Sequence, residues 1–121
     1  MRLFALRGAT SVDVNTADAI LAATEELLRQ LIERNELRAD TMVSCIFTVT
    51  GDLDAEFPAV AARRLGLDPV ALLCAREIDV PGAAERIIRV LVHYHAGDDH
   101  RPEHVYLGEA RSLRADLHAA Q

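Results

Sequence analysis

A chain of 121 residues with a formal net charge of −6 is long enough to build one hydrophobic core and too short for two. Apolar residues make up 50% of it, which excludes a disordered protein, yet no apolar run reaches the ~18 residues of a membrane span. The acidic balance excludes a nucleic-acid binder, whose phosphate partner calls for a basic face.

Residues 2–10 read as a strand, with Gly8 marking its end and Arg7 exposed beside a close turn. Asn15 or Thr16 can cap a helix whose first turn carries Asp18, favourable to the helix dipole. Ile20, Ala23, Leu27, Leu28, Leu31 and Ile32 recur on one face, which predicts an amphipathic helix over 16–35. Met42 to Val49 is an apolar, partly β-branched run and predicts a buried strand, with Gly51-Asp52 as the loop after it. Pro58 near a first turn and Gly66 near an end bracket a shorter helix. Val70 to Cys74 reads as a third strand, Pro81-Gly82 as a break, and Arg86 to His95 as the most apolar strand. His104 to Leu107 predicts a short last strand, and the residues from about 110 a loosely held tail. The order predicts a single α+β domain, an α/β sandwich in which helices lie on one face of a mixed sheet. With two substantial helices and fully apolar strands, coverage of the second face is expected from neighbouring subunits.

All 13 basic residues are arginine, and the absence of lysine excludes Schiff-base chemistry and a P-loop lysine. Cys45 and Cys74 are too few and too far apart for a zinc knuckle or a C-x-x-C motif, so reduced thiols are expected. The segment Met1 to Arg7 is interrupted by charge too early for a secretory signal, which leads to the expectation of a cytoplasmic protein.

Arg89 is the main physical anomaly, because it lies inside Ile87-Ile88-Arg89-Val90-Leu91-Val92, where an unpaired charge is costly to bury. Two explanations compete. One is a buried ion pair with an acid such as Glu77 or Asp79; the other is a guanidinium aimed into a cavity that receives an anion, a task suited to its planar, permanently charged fork. Arg7, at the end of its strand, is the second cation at a strand position. Arg63 and Arg64 follow Phe57-Pro58-Ala59 on a helix, and at least one of them faces solvent. Glu77 fits a general base, an ion-pair partner or a surface acid, and Cys74 fits a small core residue as well as a reactive one. His93 and His95 share a strand face in ligand-like spacing, with Asp98, Asp99, His100 and His104 nearby, but they match no standard zinc pattern and no metal is expected.

Seven segments in order resemble the trimeric α/β class of chorismate mutase: Arg7-Gly8-Ala9-Thr10, Asp52-Leu53, Phe57-Pro58-Ala59 with Arg63, Cys74-Ala75-Arg76-Glu77, Ile88-Arg89-Val90, His104-Val105-Tyr106-Leu107 and Leu113-Arg114-Ala115-Asp116-Leu117. The resemblance implies a homotrimer assembled as a pseudo-barrel, with active sites at the subunit interfaces and chorismate as substrate. It implies that Arg7 binds a substrate carboxylate, that Arg89 donates to the ether oxygen and a carboxylate, and that Glu77 accepts from the ring hydroxyl. Cys74 would flank Glu77, Tyr106 would close the pocket, Phe57 would pack on the substrate from across the interface, and Arg63 and Arg114 would sit at the mouth. The chain departs from the pattern at Glu103, where an arginine is common, and at Ala115, where proline is common; the first weakens local positive charge and the second loosens the tail.

The implied reaction suits these residue types. Chorismate is a dianion, and its rearrangement to prephenate is a unimolecular pericyclic shift that needs no nucleophile, cofactor or metal. The protein must hold the enolpyruvyl arm in a reactive conformation and stabilise charge as the C–O bond breaks ahead of C–C formation. Two rival readings stand beside it: a non-catalytic module that senses a small carboxylate with the same arginines, and a trimeric deaminase of similar overall architecture that turns over imines.

Overall fold

The computed structural model describes residues 1–113. In chain order the elements are β1 (Arg2–Ser11), α1 (Ala17–Asn35), β2 (Met42–Val49), α2 (Ala59–Arg64), β3 (Ala71–Arg76), β4 (Ile87–Ala96), β5 (Val105–Tyr106) and a 3₁₀ turn, Gly108–Ala110. They form one five-stranded mixed sheet in the order β3-β2-β4-β1-β5. β4 runs antiparallel to both its neighbours, β1 and β2, while β2–β3 and β1–β5 are parallel pairs. The expected α+β architecture is therefore present, and β4, the most apolar strand, takes the central position that its sequence predicts.

Local chemistry sets the helix ends. Thr16 is the N-cap of α1 and its side chain accepts from the Ala19 amide, while Glu36 ends the helix in the left-handed region at φ 52°. Asn15, the other cap candidate, instead ties the chain to the loop after β2, donating to Asp54 and accepting from the amides of Asp54 and Ala55. Pro58 precedes the first turn of α2, and Gly66 follows that helix at φ 84°.

Strand alternation divides the sheet into two unlike faces. Leu6, Phe47, Val90, Val92 and Tyr94 point towards the helices and form the main core with Leu27, Leu28 and Leu31 of α1. A second cluster joins Ile20 to Val12, Leu53 and Ile88. Gly8 lies inside β1, paired with Val90, and not at a turn as its sequence context suggests. A Cβ there would meet Leu31 Cδ1 at 2.8 Å and Leu27 Cδ1 at 3.2 Å, so the glycine lets α1 pack directly on the strand. Arg7 is exposed because it alternates out of the core, not because the strand ends.

The opposite face carries Arg7, Ile46, Thr48, Leu73, Arg89, Leu91 and His93, which share a side by register. No helix covers it. Leu73 is 60% exposed, and the segment from Tyr106 to Leu113 crosses only the part around Ala9 and Ile87, which it buries with Ala110. Coverage of both faces, expected from the apolar strands, is thus incomplete among the described residues. Ala110 is fully buried, so the anticipated loose tail cannot begin before it; residues 114–121 lie outside the described ones. No helix among the described residues is long and apolar enough to cross a membrane.

Cys45 lies in the main core, where burial pushes its thiol up to about 11 from the ordinary 9.0. Between those values the unfolded chain ionises first and binds fewer protons, so stability falls as pH rises. Below pH 9 the thiol is neutral in both states and adds no pH dependence. Thermal melts should therefore show an alkaline loss of stability beginning near pH 9, on the order of 1 kcal/mol per unit. The loss should be reduced in Cys45→Ala, and an unchanged alkaline limb in that variant would assign it to other groups.

Candidate active site

The open face of the sheet holds a cavity of about 350 Å³ lined by Arg7, Gly8, Ile46, Thr48, Glu77, Arg89, Val90, Leu91 and Tyr106. Each strand contributes by register. Arg89 on β4 faces Ala9 of β1 on one side and Thr48 of β2 on the other, and Ala9 pairs in turn with Tyr106 of β5. Glu77 follows β3 and is held to the sheet by its amide, which donates to the Val49 carbonyl at 2.9 Å. Side chains from four strands and the end of β3 thus meet over a rigid floor.

Arg89 and Glu77 are ion-paired, with Nε 3.2 Å from Oε1. Of the two explanations for a charge inside β4, this supports the ion pair with Glu77, but the pair leaves the guanidinium underused. Nε is buried, and the contact, though short, is not aligned as a hydrogen bond, so among the described residues this donor lacks an acceptor. A buried donor in that condition is costly and favours a ligand that supplies the acceptor. The side chain as a whole is 41% exposed, and since Nε is not, that exposure lies elsewhere along it.

The other carboxylate oxygen of Glu77 accepts a hydrogen bond from the Thr48 hydroxyl. Sequence reasoning passed over Thr48, because a threonine in a strand is ordinarily a β-branched filler. Its signal is positional: it faces Arg89 in the register of β2 against β4, which only strand pairing reveals.

Of the remaining expected residues, none of the described ones joins this cavity. Phe57 and Cys74 line a separate hollow of about 280 Å³ with Leu53, Asp54 and Arg76. Cys74 shares its strand face with Phe47, on the helix side of the sheet, so alternation along β3 separates it from Thr48 and Arg89. Phe57 is 67% exposed, and Arg63 projects from α2 into solvent. Arg114 lies outside the described residues. His93 Nδ1 is 3.2 Å from the Ser44 hydroxyl, His95 is exposed, and among the described residues no group of three His, Cys, Asp or Glu side chains is placed to hold a metal ion.

A larger hollow of about 440 Å³ lies beneath the 78–85 loop. Its charged lining is mostly acidic, Asp52, Glu77, Asp79 and Glu85 against Arg76 alone. A small dianion is repelled there and attracted to the cavity with two arginines.

Over nearly its full length the chain is similar to proteins of one family. Residues 3–117 match the family model of chorismate mutase type I. The chain is 47% identical over 118 residues to chorismate mutase AroH of Thermus thermophilus, covering 96% of this chain and 97% of that one. It is 37% identical over 119 residues to chorismate mutase AroH of Bacillus subtilis (strain 168), covering 97% and 94%. A solved structure of chorismate mutase from Clostridium thermocellum superposes with a TM-score of 0.87 at 51% identity, over 91% of this chain and 99% of that one. With nearly its full length matched in sequence and its sheet matched in structure, the chain belongs to the chorismate mutase type I family.

Proposed function

We propose that this chain converts chorismate to prephenate in the cavity over β1, β2, β4 and β5, as a cytoplasmic homotrimer. One observation carries the reading: two arginines and a carboxylate line one cavity, and the buried Nε of Arg89 has no acceptor aligned with it among the described residues. A substrate with two carboxylates and an ether oxygen supplies what those cations lack. In this reading Arg7 holds a carboxylate, and Arg89 reaches the ether oxygen, where negative charge gathers as the C–O bond breaks. Glu77 accepts from the ring hydroxyl and faces the partial positive charge on the ring. The groups are preorganised by strand register and by the Thr48 hydrogen bond, so little reorganisation accompanies the reaction. No proton is transferred and no covalent intermediate forms.

Incubation with chorismate tests the activity directly. The ultraviolet absorbance of chorismate should disappear as prephenate forms, whereas a carboxylate-sensing module would leave it unchanged and a deaminase would ignore it.

The trimer is supported by the sheet face left open among the described residues, where Leu73 is 60% exposed, and by the division of the expected residues between two hollows. Phe57, Arg63 and Cys74 of one subunit would complete the cavity of its neighbour, with Arg114 at the mouth. Light scattering should report about three times 13.3 kDa. Mixing and reassembling two inactive variants, Arg89→Ala and a Phe57→Ala/Arg63→Ala double, should restore roughly a quarter of the sites, those drawing an intact half from each partner. A fully active monomer, or mixtures that stay inactive after subunit exchange, would refute the shared site.

A further inference from the structure

We infer that His104 is a positioning residue for Arg7: its ring nitrogen fixes the backbone from which the Arg7 side chain enters the cavity. The inference rests on the assignment of Arg7 to the substrate site. β5 pairs with β1 only through Gly8–Val105 and Ala9–Tyr106, so the ladder stops one residue short of Arg7. There the His104 Nδ1 accepts from the Arg7 amide at 2.9 Å, continuing the pairing with a side chain. Beyond the other end of the pair, the Leu107 amide donates to the Ala9 carbonyl at 2.9 Å. Arg7 and Tyr106, on two walls of the cavity, are thereby held in register with each other.

The ring is offered from a fixed backbone. Asn35, at the end of α1 and 5% exposed, spends its amide group on the preceding residue: Nδ2 donates to the Glu103 carbonyl at 2.9 Å and Oδ1 accepts from the Glu103 amide at 2.7 Å. Asn35 Nδ2 also donates to the Leu31 carbonyl at 3.0 Å, which ties this clamp to the helix. The chain of contacts therefore runs from α1 through Asn35 and Glu103 to His104, and from His104 to Arg7. An accepting Nδ1 is unprotonated, so the neutral ring carries its proton on Nε2. The hydrogen bond is solvent-exposed and adds little to folding, so its consequence lies in where Arg7 points.

Steady-state kinetics on five variants tests this. In His104→Asn the side-chain oxygen stands as many bonds from Cα as Nδ1 does, whereas in His104→Gln it is carried one bond too far. kcat/KM should fall about 10- to 100-fold in His104→Ala and His104→Gln, the loss that a misplaced binding group produces. His104→Asn should return to within about threefold of the parent, with thermal midpoints of the Asn and Gln variants within about 2 °C of each other. In an Arg7→Ala background, His104→Gln should add less than about threefold, because the two residues act as one unit. Equal kcat/KM for the Asn and Gln variants, or a full additional loss in the Arg7→Ala background, would overturn the inference alone. Parental kcat/KM in Arg7→Ala would overturn the role of Arg7 and this inference with it.

Discussion

Replacing Arg89 with lysine should lower kcat by at least about 10²–10³, the usual cost of deleting one donor from a charge-stabilising site. The strand that carries Arg89 is the central one, bonded on both sides, so the substitution cannot be absorbed by a shift of the backbone. Lysine preserves the charge but shortens the reach and removes the planar fork. If Arg89 served only as the counter-ion of Glu77, a different result would follow. The pair is partly open, with side chains 41% and 22% exposed, and such a pair stabilises by less than about 1 kcal/mol. A lysine could replace that interaction, leaving kcat near normal with at most a small drop in thermal midpoint. Measuring kcat and the thermal midpoint on the same sample separates the two. A folded Arg89→Lys enzyme with parental kcat would remove Arg89 from the chemistry.

The extent to which this site is legible in the sequence follows the distance over which each residue finds its partner. Arg89 declares itself because a charge inside an apolar run violates a local rule, and the helix of 17–35 does so through periodicity and its Thr16 cap. The strand Met42–Val49 matches its sequence range for the same reason. Gly8 misleads because a glycine after a charged residue reads as a turn, while its actual cause is the close approach of Leu27 and Leu31 from the helix. Thr48 stays silent, and His104 gives no sign of its link to Arg7, because their contacts depend on strand register, with Arg7 and His104 97 residues apart. The same limit applies to Cys74: its order along the chain matches the family pattern, but which face of the sheet it occupies is decided by alternation within β3.

Glu77→Gln should show a kinetic signature that Arg89→Lys lacks. The glutamine is isosteric and keeps an oxygen able to accept from the Thr48 hydroxyl, so the position of the side chain should survive. What is lost is the negative charge facing the ring as positive character develops there. Since that charge matters only in the transition state, kcat should fall about 10²–10³. KM should stay level or decrease, because a carboxylate no longer opposes the two of the bound substrate. The thermal midpoint should move by only a few degrees, given how little a part-exposed pair contributes. Thr48→Val, which removes the hydroxyl that orients the carboxylate, should give a smaller fall in kcat, about tenfold, and Thr48→Ser should recover most of it. Had Glu77 acted merely to neutralise Arg89 in the empty site, freeing that arginine would tighten substrate binding without slowing the reaction. A Glu77→Gln enzyme with parental kcat and lower KM would therefore assign the carboxylate to the resting protein and leave the ring cation without a partner.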